Sequence, residues 1–225
     1  MDIFRFVVNM FQENTMIVAG ADGRCVVVDP GFGSPEETQA VLGCIKEKGL
    51  RPEAALITHG HFDHIGGASE LQRLFGIPVY MSESDRPVIE FFKRAAKFGW
   101  FIPDTGFTAT DVADGQIIEA AGFRFRVITT PGHSPGGVCY YEESEGALFT
   151  GDTLFAGAIG RTDLKDGDYD SLIRSIMEKL MSLPGDVNIY PGHGAPSTIG
   201  TEMATNPFLE PFNEREEIPE LNTPE

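Results

Sequence analysis

Residues 58–67, THGHFDHIGG, place three of the chain's five histidines and one aspartate within six positions, directly after the apolar run AALI. An apolar strand that runs straight into a glycine-punctuated loop of imidazoles constrains the fold. Polar donors have to converge where that strand ends, and glycine lets the loop turn tightly enough to bring them together. The spacing His-x-His-x-Asp-His offers four donor groups from one loop, more than one metal ion normally takes from so short a stretch. Two metals, or one metal and a base, are the readings.

The other two histidines follow the same rule. His133 lies in TTPGHSPGG after the strand-like FRFRVITT, His193 lies in IYPGHG after VNIYPG begins, and Asp152 closes ALFTGD. All five histidines and two aspartates, Asp63 and Asp152, therefore fall just beyond the C-terminal ends of predicted strands. A histidine such as His133 would by itself be a structural residue more often than a ligand. The presence of the others reverses that reading.

The rest of the chain reads as strands and helices in alternation. IFRFVV, NTMIVA and CVVVD are β-branched and aromatic runs broken by turn residues, the third ending in Asp29-Pro30-Gly31. Residues 36–48 carry apolar positions 41, 42 and 45 on one helical face and stop at Gly49. Helix-like GGASELQRLFG, strand-like IPVYM, QIIEA and GVCYYE, and a helix over 168–182 complete an α/β order. Two sheets packed face to face with helices outside accommodate it, as one large sheet would.

A chain of 225 residues suits one domain, here residues 1–205, with 206–225 (six Glu, four Pro) as a loosely held acidic tail. Residues 86–107 carry Phe91, Phe92, Phe98, Trp100, Phe101 and Phe107, and read either as a core helix or as a lid over a pocket. The net charge of −17 argues against nucleic-acid and anionic-membrane partners, which rely on clustered Lys and Arg. Cys25, Cys44 and Cys139 are odd in number and far apart, so reduced, buried thiols are expected rather than a disulfide framework. No stretch approaches the roughly 18 apolar residues of a membrane span, and the N-terminal residues do not read as a leader, so a cytoplasmic location is expected.

The histidine loop, His133, Asp152 and His193 together resemble the metallo-β-lactamase superfamily, and the resemblance extends from Asp29-Pro30-Gly31 to Asn206-Pro207-Phe208-Leu209. It implies a four-layer αββα sandwich with a metal site at one edge. It further implies that His59, His61 and His133 hold one metal and Asp63, His64 and His193 the other, with Asp152 bridging. Three neutral imidazoles leave an open position on a zinc, and a carboxylate can span two ions. Water between two such ions would lose a proton near neutral pH, and Asp63 would orient it.

Within the superfamily, the common β-lactamases have Cys where this chain has Asp152, and nucleases would need a basic track. FTGDTLF, GRTD (160–163) and TIGTE with NPFL look like the short, glyoxalase II-like hydrolases. That resemblance implies a zinc-dependent hydrolase of small hydroxyacyl thioesters such as S-lactoylglutathione, with Arg161 placed to hold the thiol carrier. It departs from the hydroxyacylglutathione hydrolases in having a short acidic tail in place of their helical C-terminal domain. Rival readings are a persulfide dioxygenase using a single Fe2+ on the same ligand pattern, a lactonase on the same metal core, and a noncatalytic metal-binding module.

Overall fold

The computed structural model describes residues 1–95 and 104–210. Strands β1 (Asp2–Val8), β2 (Glu13–Ala19) and β3 (Arg24–Val28) form an antiparallel meander, and β4 (Arg51–Leu56), β5 (Val79–Tyr80) and β6 (Ala109–Thr110) extend it in parallel, giving a six-stranded sheet in the order β1-β2-β3-β4-β5-β6. The second sheet takes β7 (Ile117–Ala120), β8 (Phe123–Thr129), β9 (Val138–Glu142) and β10 (Ala147–Gly151) in antiparallel sequence. β13 (Asn188–Pro191) then joins β10 in parallel and β14 (Ser197–Thr198) closes the edge. A separate two-stranded hairpin, β11 (Leu154–Phe155) with β12 (Ala158–Ile159), stands beside the site.

Alternation along the strands explains the layering, because successive side chains point to opposite faces. Met16, Val18, Val26, Val28, Ala54 and Leu56 face the second sheet and meet Phe125, Val127, Val138, Tyr140 and Phe149. Their neighbours Ile17, Val27 and Ala55 face outward onto Val41 and Ile45 of helix α1 (Pro35–Glu47) and Leu71 of α3 (Ala68–Phe75). On the far side Ile128, Cys139, Leu148 and Ile189 pack on Leu172 of α5 (Tyr169–Ser175) and on Ile176 and Leu180 of the π turn that continues it. Strands apolar on both faces are those covered on both sides, so the order is helix, sheet, sheet, helix. The αββα reading holds and one large sheet is excluded.

Helix ends obey local chemistry. Ser34 caps α1 by accepting from Glu37 N, while the Glu37 carboxylate accepts from Ser34 N at 3.0 Å, and Pro35 opens the first turn. Asp168 caps α5 by accepting from Ser171 N at 2.7 Å. The two-residue strands β6, β11, β12 and β14 escape sequence reading because so short a run has no period. Helix α6 (Ile199–Thr205), also unforeseen, is capped by Thr198.

Two expectations need correction. The domain does not end at 205: Asn206 and Leu209 are buried, and the Asn206 amide donates to Ala158 O at 3.1 Å and to Glu202 Oε2 at 2.8 Å. The remainder of the expected tail, 211–225, lies outside the described residues. The segment 86–107 is neither wholly core nor wholly lid. Phe107 is buried in the core under the first sheet, whereas α4 (Arg86–Ala95) turns Phe91 and Phe92 toward the site; Phe98, Trp100 and Phe101 lie outside the described residues. Among the described residues no helix is long and apolar enough to cross a membrane, and Cys25, Cys44 and Cys139 are free thiols.

Candidate metal centre

The seven histidine and aspartate donors gather where both sheets end on one edge. β4 delivers Thr58 and His59, and the single-turn helix α2 (Phe62–Ile65), entered from His61, winds Asp63 and His64 back toward His59. β8, β10 and β13 all run in one direction, so His133, Asp152 and His193, each just past one of them, reach the same edge. The sheets are tied there: Val138 N donates to Thr58 O at 2.9 Å, and Asn14 N donates to Gly192 O at 2.7 Å. Glycine is required at the seam. A Cβ on Gly192 would stand 2.5 Å from Asp152 Oδ1 and 2.6 Å from His64 Cε1.

The donor atoms form overlapping groups whose members lie within 4.8 Å of one another: His59, His61 and His133; Asp63, His64 and His193; and His59, His64 and Asp152. His133 Nε2 faces His61 Nδ1 across 2.9 Å. Asp152 stands between the groups, with Oδ2 3.5 Å from His133 Nε2 and 3.6 Å from His193 Nε2, and Oδ1 3.5 Å from His64 Nε2. Asp63 Oδ2 lies 3.5 Å from His193 Nε2 and 3.7 Å from His64 Nε2. All seven residues expected from sequence are thus brought together.

Outer partners fix which nitrogen faces inward. His133 Nδ1–H donates to Arg161 O at 2.7 Å and His193 Nδ1–H to Phe11 O at 3.0 Å. His64 Nδ1–H donates to Asp29 Oδ2 at 3.1 Å. Thr58 Oγ1 donates to Asp29 Oδ2 at 2.7 Å, which leaves it an acceptor for His59 Nδ1–H at 3.1 Å. Four imidazoles therefore present an Nε2 lone pair to one small space, the arrangement that metal-ligating histidines adopt. Three buried atoms in that space, His59 Nε2, His64 Nε2 and Asp152 Oδ1, have no hydrogen-bond partner. Buried polar groups are rarely left so, and a bound cation satisfies all three. The donor set fits metal ions.

The imidazoles differ in the charge their surroundings favour. Burial, then the neighbouring His64 and His61, pushes His59 well below the ordinary imidazole range, and burial with His133 pushes His61 down to about 3. Both are neutral, as ligands must be. Burial opposes charge on His64 too, yet Asp152, Asp63 and Asp29 together raise it well above the ordinary value. Burial would raise Asp63, but His64 and His193 hold it far below the carboxylate range, so it is ionised.

A cavity of about 790 Å³ opens over the donors. Phe11, Phe62, Val88, Phe91, Phe92 and Phe155 wall it, while His61, Asp63, His133, Asp152 and His193 contribute the polar floor. Arg161 does reach the rim, yet its guanidinium makes a bidentate pair with Asp163, both bonds at 2.7 Å. The residue expected to hold a carrier is held by a neighbour.

Sequence reading missed the supports. Asp29, where φ is 44°, anchors Thr58 and His64; its place at a strand end before Pro30-Gly31 gave a sequence signal for the turn but none for the anchoring. Asp85 and Glu13 gave none. Glu13 is fully buried, accepts from Thr15 Oγ1 at 2.8 Å, and is raised well above the ordinary carboxylate range by burial, with His64 opposing.

Comparison with known proteins gives the same placement. The family model of the metallo-β-lactamase superfamily matches residues 8–193. Hydroxyacylglutathione hydrolase GloC of Haemophilus influenzae is 38% identical over 216 residues, covering 93% of this chain and 98% of that protein. Among solved structures, the BLEG-1 B3 metallo-β-lactamase superposes with a TM-score of 0.85 at 36% identity, covering 92% of this chain and 99% of that one. TTHA1623 in a di-iron-bound form superposes at 0.80 with 37% identity, covering 92% and 100%. The chain belongs to the metallo-β-lactamase superfamily, and its edge site carries the donors of a metallo-hydrolase.

Proposed function

We propose that the protein hydrolyses small hydroxyacyl thioesters of the S-lactoylglutathione kind with two zinc ions per chain. His59, His61 and His133 would hold one ion, Asp63, His64 and His193 the other, with Asp152 shared. The observation that carries this reading is the Asp152 carboxylate, whose two oxygens address both donor sets at 3.5–3.6 Å. When bound, two divalent ions acidify a water and polarise a carbonyl, the two contributions that acyl hydrolysis needs. The chain's own residues do the remainder. Ionised Asp63 accepts a hydrogen bond from an attacking water and orients it, the aromatic walls exclude bulk solvent, and the rim presents Arg161 to a carrier carboxylate. Arg161 would exchange Asp163 for that carboxylate, since an exposed pair is readily exchanged. The likeness to GloC supports a thioester.

The metal has to be measured, because oxygen and nitrogen donors suit iron nearly as well as zinc and TTHA1623 is di-iron-bound. Likewise Asp152 does not by itself dispose of β-lactams, given the similarity to BLEG-1. Elemental analysis of the purified protein, paired with S-lactoylglutathione, lactone, β-lactam and persulfide assays, tests the reading. Two ions per chain with thioester turnover lost to a chelator and restored by zinc is the expected result. One iron per chain, with oxygen consumed on adding a persulfide, overturns it in favour of the dioxygenase. Arg161→Lys tests the carrier, because lysine copies a bidentate contact poorly. KM should rise for a carboxylate-bearing thioester and hold for a small neutral one; equal losses with a lowered Tm assign Arg161 to its loop.

A further inference from the structure

The buried carboxylate of Asp85 joins three parts of the site that are distant in sequence. Asp85 is fully buried at the junction of a short 3-10 turn (Glu83–Asp85) with α4. Its Oδ2 accepts from Gly60 N and from Ser134 Oγ, both at 2.7 Å, and its Oδ1 accepts from Gly136 N at 2.5 Å. Gly60 separates His59 from His61, and Ser134 follows His133. One carboxylate thus grips both loops that supply the three-histidine set, next to the 2.9 Å approach of His61 and His133. The loops fit closely around it: a Cβ on Gly136 would stand 2.7 Å from Asp85 N, and one on Gly60 3.0 Å from Asp85 Cβ. Asp85 also begins the helix whose Phe92 packs edge-on against His61, with ring centroids 5.6 Å apart. By contrast, its one hydrogen bond to the histidine loop falls at Gly60, between His59 and His61, and none reaches the turn α2 that carries Asp63 and His64 or the loop of His193.

We infer that Asp85 is a positioning residue for the three-histidine half of the site alone, setting the spacing of His59, His61 and His133 and docking the aromatic wall onto them. The inference rests on the reading of those histidines as ligands of one ion. Asparagine is the discriminating replacement. Each carboxylate oxygen accepts from a backbone N–H, so an amide in either orientation sets an NH2 against an N–H, at unchanged size.

The experiment is a chelator-competition titration of the metal-stripped full chain with Co2+, following the visible spectrum and resolving the two binding steps. His61→Ala and His193→Ala mark which step belongs to which set. Asp85→Asn should weaken the His61-marked step by roughly ten- to a hundredfold, the usual effect of losing a ligand's outer partner, and leave the His193-marked step within about twofold. Ser134→Ala removes one donor and leaves no buried charge unpaired; it should weaken the same step by less, and it carries the test if Asp85→Asn does not fold. Equal weakening of both steps alongside a lowered Tm would mean a merely structural role and overturn the inference, as would two unchanged steps. Failure of the wild-type chain to bind metal would refute the metal reading itself, a result distinct from either.

Discussion

Asp29→Asn tests whether outer partners set the donor atoms. The backbone N–H of Thr58 donates to Asp29 Oδ1 at 2.7 Å, which fixes the amide oxygen of an asparagine on that side. Its NH2 then replaces Oδ2, facing the Thr58 hydroxyl and His64 Nδ1. The hydroxyl can rotate, accept from the amide and still accept from His59. His64 cannot adapt without harm: to accept from the amide it moves its proton to Nε2, the atom turned toward Asp63 and Asp152. Ligation requires the other tautomer, with Nδ1–H forced against the NH2 in a fully buried place. Leaving a buried donor unsatisfied costs about 1–3 kcal/mol. At 1.4 kcal/mol per decade that is roughly a five- to hundredfold loss of affinity at the Asp63, His64, His193 set.

Chelator competition reads the affinity and imidazole nitrogen NMR reads the tautomer. In the metal-free wild type, burial opposes charge on His64 while Asp152, Asp63 and Asp29 raise it well above the ordinary range. The variant should titrate lower than the wild type, because the Asp29 contribution is gone, and its neutral ring should be protonated on Nε2. Unchanged affinity with Nδ1–H retained would refute the argument, because the carboxylate would then have no hold on the tautomer.

Three further outcomes follow from the same geometry. Asp152→Ala should weaken both metal-binding steps where His193→Ala weakens one; an Asp152 variant with full metal and wild-type turnover would contradict sharing of that carboxylate. Phe92→Ala should raise KM with little change in Tm, because the ring lies half-buried on His61 and Phe62, whereas Phe107→Ala removes a core ring and should cost about 3–5 kcal/mol in a denaturation experiment. Burial pushes the Cys25 thiol up to about 12 and the Cys139 thiol up to about 11, so at pH 8 both should react with iodoacetamide far more slowly than half-buried Cys44, and all three alike in denaturant. Since both values are raised on folding, the stability they contribute is complete below the ordinary thiol value and is lost as pH climbs from there toward 11–12; a Tm independent of pH over that window would contradict it.

The metal donors were legible in sequence because each follows an apolar strand, and parallel strands carry their ends to one edge. The layers were legible as strands with helices, and the resemblance to the superfamily supplied the two sheets; the strand pattern by itself did not, since β2, β3 and β4 are apolar on both faces and such runs do not say which face meets which. Asp29 and Asp85 were invisible as supports for a different reason. Their partners are backbone N–H groups and side chains far along the chain: Gly60, Ser134 and Gly136 for Asp85, Thr58 and His64 for Asp29. A buried carboxylate gives no periodic signal, and only the folded chain shows what donates to it. Arg161 shows the converse: the resemblance places it to hold a carrier, a salt bridge with Asp163 or Asp168 is the other reading of the sequence, and in the fold it lines the cavity while pairing with Asp163 two positions on.

The division of donors between the sheets has a consequence for how the site fails. His59, His61, Asp63 and His64 follow the first sheet, whereas His133, Asp152 and His193 follow the second. On the proposed assignment neither set could hold an ion with residues of one sheet alone, because His133 completes the first set and His193 the second. The spacing of the donors is therefore a measure of sheet-on-sheet packing. Hydrogen bonds guard that packing near the edge, among them Tyr140 Oη to Ile57 O at 2.8 Å, Val138 N to Thr58 O at 2.9 Å, Asn14 N to Gly192 O at 2.7 Å and Asn14 Nδ2 to Pro191 O at 2.9 Å. Tyr140→Phe removes one of them while keeping the ring in the core, so the hydrophobic term is unchanged and the Ile57 carbonyl loses its Tyr140 donor. Loss of metal affinity in that variant, at a residue touching no donor, would trace the strain through β4 to His59. Unchanged affinity would place the register of the two sheets in the apolar interlayer alone.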